Sequence, residues 1–218
     1  MYYEHRGGFS AQRVSGEGAG NGTRGACAPQ MSEDLLGLFR KTGALLDGHF
    51  VLHSGLHSRQ YFQCALLLQH TDVAARVCQM LATKLSGFDC DAVISPALGG
   101  IIVGQEVARS LGKRHIFVEK ENGKLVLRRG FKIDSQEKFF VVEDVVTRGG
   151  RVQETIDIVR THGGVITAVG VIVDRSAETK PDFGCPFVSL IEMNMETFEP
   201  DELPPDLALI PAIKPGST

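Results

Sequence analysis

The chain has 218 residues, 43% hydrophobic and 22% charged, with a formal net charge of −3. This length and balance fit one ordinary α/β domain with a tail and leave little room for a second core. The near-neutral charge supplies no positive field for nucleic acid or an anionic membrane, so neither partner is expected. Apolar runs such as 169–173 have strand length, far short of the roughly 20 residues of a bilayer span.

Residues 1–30 hold seven of the 25 glycines and no periodic apolar pattern, and read as a disordered N-terminal extension. No apolar h-region follows the first charges, so a secretory signal is not expected, and Met31 offers an alternative start. Glu4, Glu17 and the glycines argue against a mitochondrial presequence. The five cysteines, Cys27, Cys64, Cys78, Cys90 and Cys185, form no C-x-x-C pair. Free thiols in a reducing cytoplasm are the expectation.

Ser32 is placed to cap a first helix with Leu35, Leu36, Leu38 and Phe39 on one face, stopping near Gly43. A second helix starts at Thr71-Asp72 and ends at Gly87. Residues 91–95 read as a buried strand, Gly99-Gly100 as a turn, and 101–111 as a helix closed by Gly112. Residues 115–119 and 124–129 flank Asn122-Gly123, a dipeptide suited to the positive φ of a tight hairpin turn. Residues 139–143 form a continuous apolar strand, followed by a Gly-bearing turn and a helix carrying Val152, Ile156 and Val159. Strands at 165–174 and 187–191 follow, and the proline-rich stretch from Glu199 reads as loop. Uninterrupted apolar strands alternating with helices predict a mostly parallel sheet flanked by helices.

The chemistry concentrates where the 139–143 strand ends in Glu143-Asp144 and runs through Val145-Val146-Thr147-Arg148-Gly149-Gly150-Arg151. Helix N-termini beyond strand ends present unpaired N–H groups to phosphate, and the two glycines let the backbone approach it. The carboxylates are placed to accept hydrogen bonds from sugar hydroxyls. No Walker-type or G-x-G-x-x-G loop is present. His70, His115 and His162 show no metal-ligand spacing and read as surface or capping residues.

This strand, acid pair and glycine turn resemble the phosphoribosyl-pyrophosphate signature of the type I phosphoribosyltransferases. From about Met31 on, the chain is similar to the orotate branch of that family. The resemblance implies a domain over 31–218, with an N-terminal hood over about 31–70, a core over about 71–195 and a β-hairpin catalytic loop. Gly48 to Gly55 and His57 to Phe62 resemble the hood, with His53 standing where the family usually has lysine. His53, Tyr61, Phe62, Thr147 and Arg175 are the residues implied to hold orotate, Arg175 through its planar fork. Ser95 to Gly100 resembles the pyrophosphate loop, with Leu98, Gly99 and Gly100 as contacts. Gly99 replaces a common lysine, and a non-proline cis peptide is expected at Leu98–Gly99.

Lys120 matches the loop lysine that assists the departing pyrophosphate. Glu119 stands where the family has arginine, so Lys124, Arg128 or Arg129 is expected to supply that charge. Lys120, Glu143 and Asp144 are implied as catalytic, and Lys120, Lys124 and residues 143–151 as holding phosphoribosyl pyrophosphate. Magnesium is the implied cofactor, with no direct protein ligand beyond Asp144, and a homodimer exchanging the hairpin is the implied assembly. The expected reaction joins phosphoribosyl pyrophosphate and orotate into orotidine 5′-monophosphate, a step of pyrimidine biosynthesis. Two alternatives remain open at this level: the same chemistry on another nucleobase, and a non-enzymatic phosphoribosyl-pyrophosphate sensor.

Overall fold

The computed structural model describes residues 28–52, 54–176 and 179–215, with the backbone alone over 28–34. Helix α1 (Ala28–Lys41) leads into strands β1 (Leu45–Val51) and β2 (His57–Phe62), followed by helices α2 (Cys64–Leu68) and α3 (Thr71–Leu85). Strand β3 (Ala92–Pro96), helix α4 (Gly99–Leu111), strands β4 (Arg114–Glu121) and β5 (Lys124–Leu127), strand β6 (Lys138–Val146) and helix α5 (Gly150–Thr161) come next. Strands β7 (Val165–Asp174), β8 (Phe187–Glu192) and β9 (Thr197–Phe198) and helix α6 (Pro205–Ala208) complete the order.

A six-stranded sheet runs β5-β4-β3-β6-β7-β8. All its pairings are parallel except the β4–β5 hairpin. The connection from β3 goes to β4 on one side, and β6 returns on the other. The topological switch point therefore lies between β3 and β6, where a crevice opens beyond the strand ends.

Alternation along β6 divides the core in two. Phe140 and Val142 join α3 and α4 side chains such as Val77, Leu81, Val103 and Val107 on one face. Phe139 and Val141 meet Val152, Ile156 and Val159 of α5 on the other. Every one of these side chains is buried, which explains why β6 carries an unbroken apolar run. Each buried Phe contributes roughly 2–3 kcal/mol of transfer free energy.

Three sequence expectations change. Helix α1 begins at Ala28, so Ser32 lies within it; Pro29 occupies the first turn, where its missing N–H costs nothing. The glycines 99 and 100 open α4 instead of forming a turn before it. Beyond Glu199 the chain is not all loop: Pro205 starts α6, Leu207 is buried, and Ile213 bridges to Phe50. The expected extension lies outside the described residues as far as residue 27.

The stretch expected as the hood contributes β1 and β2 to a separate antiparallel sheet in the order β1-β2-β9. Its third strand comes from Thr197–Phe198, so this sheet is not contiguous in sequence. Arg59 holds the returning chain by pairing with Asp206 at 2.8 Å and Glu196 at 3.2 Å, with its guanidinium 4.8 Å from the Phe198 ring centroid. Among the described residues, no helix is long and apolar enough to cross a membrane.

Candidate active site

Two turns meet at the switch point. One follows β3 and runs from Ala97 into Gly99; the other follows β6 and runs from Thr147 into Gly150. Their approach is close: a Cβ on Gly99 would lie 2.5 Å from Asp144 Oδ2, and one on Gly100 would lie 2.9 Å from Glu143 Oε1. The Gly99-Gly100 pair thus makes room for the acid pair opposite. A cis peptide occurs at Ala97–Leu98, one bond before the expected position, and Leu98, with φ −98° and ψ −36°, leads into α4.

Glu143 is 3% exposed. Burial, reinforced by the neighbouring Asp144 carboxylate, pushes its carboxyl up to about 9, and Arg151 only partly offsets this. The group is therefore protonated at neutral pH and presents a hydrogen-bond donor. Asp144 is half-buried, and its Oδ1 accepts the Val145 N–H at 2.8 Å. At the start of α5, Gly149 has φ +75°, and a Cβ there would fall 2.9 Å from the Phe183 ring. Glycine is required twice over, by the backbone and by the space.

Three hollows line up along this crevice. The first, about 460 Å³, is walled by Leu98, Gly99, Lys120, Arg151 and Glu154 among others. Arg151 and Glu154 are shared with the second, about 270 Å³, which is formed by the Glu143–Val152 turn. Thr147 and Arg148 are shared in turn with the third, about 490 Å³, which also includes Arg175, Ser176 and Lys180. The row runs from a lysine, past an acid pair and a glycine turn, to an arginine.

That arginine has unusual surroundings. Arg175 Nε is the only buried side-chain nitrogen or oxygen without a hydrogen-bond partner among the described residues. Burial pulls its guanidinium below the ordinary value, with Tyr61 partly offsetting the effect. Its sequence neighbour Asp174 is engaged elsewhere, accepting from Ser176 N at 2.9 Å and Ser176 Oγ at 2.5 Å. An unpaired buried donor of this kind suits an anion that arrives with a ligand.

Relatives share this arrangement of sequence over nearly their whole length. An orotate phosphoribosyltransferase of Desulforamulus reducens is 49% identical over 185 residues, covering 85% of this chain and 96% of the relative. One from Sphingopyxis alaskensis is 49% identical over 191 residues, covering 86% and 97%. The chain belongs to the orotate phosphoribosyltransferase family. It is therefore an enzyme of the pentosyltransferase class. A solved orotate phosphoribosyltransferase from Aeropyrum pernix superposes with a TM-score of 0.62 at 26% identity, over 73% of this chain and 93% of that one. The enzyme of that name from Mycobacterium tuberculosis superposes at 0.61 with 20% identity, over 75% and 96%, which supports the type I phosphoribosyltransferase fold alone. No family model matches the chain.

Within the orotate phosphoribosyltransferase frame, the fold brings Lys120, Leu98, Gly99, Gly100, residues 143–151 and Arg175 to one crevice. Other residues named from sequence go elsewhere. Phe62 is buried against Phe39, with ring centroids 4.9 Å apart, because strand alternation sends it to the core while Tyr61 faces the other way. Arg128 pairs with Glu121 at 3.0 Å and Arg129 with Glu119 at 2.9 Å, so the hairpin's own acids engage both arginines. Lys124 is exposed at the start of β5, off the cavity wall. His53 lies outside the described residues. His115 is neither a surface nor a capping residue: its Nε2 is 2.8 Å from Ser95 Oγ beneath the β3 turn.

Sequence reading missed Glu154. It walls two of the hollows, and its carboxylate accepts the Leu125 N–H at 3.3 Å, tying the hairpin to α5. A single acid on an exposed helix face carries no sequence signal; only the packing of β5 against α5 reveals it.

Proposed function

We propose that the chain transfers the 5-phosphoribosyl group of phosphoribosyl pyrophosphate to N1 of orotate, giving orotidine 5′-monophosphate and pyrophosphate in pyrimidine biosynthesis. The C1–N1 bond forms as the C1–O bond breaks, and the bond's electron pair leaves with pyrophosphate. The observation that carries this reading is the buried, unpartnered Arg175 Nε at one end of a crevice whose other end holds Lys120. Orotate brings the carboxylate that this arginine lacks; an uncharged nucleobase does not.

The chain's own residues then divide the work electrostatically. Lys120 carries no ion pair among the described residues and faces Gly99, where it can meet negative charge growing on the leaving group. The amides from Gly149 onward receive the 5′-phosphate at the α5 N-terminus. Asp144 holds ribose hydroxyls and favours positive charge developing on the ring. Protonated Glu143 supports that carboxylate from behind. The orotate ring already bears its nucleophilic nitrogen, so the reading needs no protein nucleophile.

Magnesium fits this donor set. Asp144 offers hard oxygen, and no group of three or more His, Cys, Asp or Glu side chains among the described residues forms a cage. Its other positions would fall to substrate phosphates and water. When bound, the ion neutralises charge on the pyrophosphate.

A homodimer belongs to the same proposal, supported by Leu98 and Ile102, which are 81% and 45% exposed beside the crevice. So does a cytoplasmic setting, supported by the free thiols of Cys64, Cys78, Cys90 and Cys185. The catalytic unit in this reading is the hood and core from about residue 31 on. Arg175→Ala tests the reading: the KM for orotate should rise on the order of a hundredfold, with the KM for phosphoribosyl pyrophosphate little changed. Equal changes in both constants would remove Arg175 from orotate recognition.

A further inference from the structure

Beneath the β3 turn lies a part-buried polar contact that the mechanism above does not use. Ser95, wholly buried at the end of β3, reaches 2.8 Å from its Oγ to Nε2 of His115 on β4. Parallel register sets Val93 opposite His115 and Ser95 opposite Phe117. Ser95 and His115 therefore share a face of the sheet and meet diagonally.

Helix α4 is shaped around this pair. A Cβ on Gly104 would lie 2.8 Å from Ser95 Oγ and would strike the His115 ring, while one on Gly100 would lie 3.1 Å from Ser95 Cβ. Two glycines one helical turn apart thus leave the space that hydroxyl and imidazole fill. Burial pulls His115 down to about 4, so the ring is neutral and either accepts from the hydroxyl or donates to it. It brings no charge to the neighbourhood.

The contact leads directly to the crevice. Two residues after Ser95, the Ala97 N–H donates to Val118 O of β4 at 2.7 Å, and the Ala97 carbonyl accepts from Arg151. Strand β4 then carries Lys120 to the wall it shares with Leu98 and Gly99. Strand β4 therefore meets the end of β3 through the His115 side chain and the turn through its backbone, and it carries Lys120 to the hollow the turn lines.

We propose that His115 is a positioning residue: through the Ser95 hydroxyl it fixes the Ala97–Gly99 turn against the strand that delivers Lys120. The inference rests on the reading that this turn holds the pyrophosphate end of the substrate. A neutral, half-buried partner behind a substrate-contacting turn keeps that turn in one geometry, which matters most where charge develops.

The test is steady-state kinetics of the full chain for both substrates, in Ser95→Ala, His115→Phe, the double variant and His115→Gln. Phe fills the histidine volume without a hydrogen bond, whereas the Gln amide can still meet the hydroxyl. Either single loss should raise the KM for phosphoribosyl pyrophosphate about five- to tenfold and leave the orotate KM within about twofold. The double variant should be no worse than the worse single one, and His115→Gln should recover most of the loss. Additive losses, equal shifts in both KM values, or a lowered melting temperature with wild-type kinetics would overturn the inference. Absence of orotate turnover in the wild type would sink the functional reading instead. Calorimetric binding of phosphoribosyl pyrophosphate to the same variants then decides, with weaker binding supporting the role of His115 and unchanged binding overturning it.

Discussion

At Glu143, burial and the adjacent Asp144 carboxylate hold the proton on at neutral pH, while Asp144, half-buried, lines the same hollow. Of the acid pair, only Asp144 then presents an accepting carboxylate in the proposed reading. Asp144→Asn keeps the shape and removes the charge, and is expected to lower kcat about a hundredfold to a thousandfold, or roughly 3–4 kcal/mol. Near-wild-type kcat would exclude an electrostatic role for that carboxylate.

His115 supplies a stability prediction of its own. Its folded value is about 4 against an ordinary 6.5, so below about pH 6.5 the unfolded chain takes up a proton that the folded chain refuses. Stability from this group is therefore complete above that pH and falls as pH drops toward 4, by about 2 kcal/mol once partial exposure of the ring is allowed for. Denaturant midpoints at about pH 7.5 and about pH 5 read this loss, and His115→Phe should shrink the difference. An unchanged difference would assign the acid sensitivity to other groups. Such residues differ in how visible they are in sequence. Glu143, Asp144, Gly149 and Gly150 are contiguous, so their chemistry can be read as a motif, whereas Ser95 and His115 meet only through parallel register.

Among the elements, β6 and α5 were legible because an apolar run, two acids and a glycine turn follow one another without interruption. The β4–β5 hairpin was legible for a different reason: Asn122 at φ +50° and Gly123 at φ +87° supply the backbone that a two-residue turn requires. The third strand of the β1-β2-β9 sheet was not, since it joins β1 and β2 from more than a hundred residues later. Strand pairing at such separation depends on how the core has already folded. At the start of α5, Gly149→Ala should combine an adverse positive φ with a collision against Phe183, costing about 2 kcal/mol or more. A thermal melt would read it, and an unchanged melting temperature would show that the turn can rearrange.

At the scale of the whole molecule, the switch point between β3 and β6 gathers groups that opposite ends of the reaction require. In the proposed reading Lys120 and the Gly99 turn meet the departing anion and Arg175 meets the base, with the acid pair between them. Lys120 lines the crevice of its own chain, which raises the question of what a homodimer adds. Heterodimers of Lys120→Ala with Asp144→Asn should regain activity if the hairpin serves the partner's site, and no recovery in verified heterodimers would make the lysine a residue of its own chain's site. The base accepted at the Arg175 end decides the proposed activity. The direct measurement follows the ultraviolet absorbance of orotate after addition of phosphoribosyl pyrophosphate and magnesium, with uracil, hypoxanthine and adenine assayed in parallel by product chromatography. Turnover of orotate alone is the predicted result; turnover of another base, or binding of phosphoribosyl pyrophosphate without turnover of any, would contradict it.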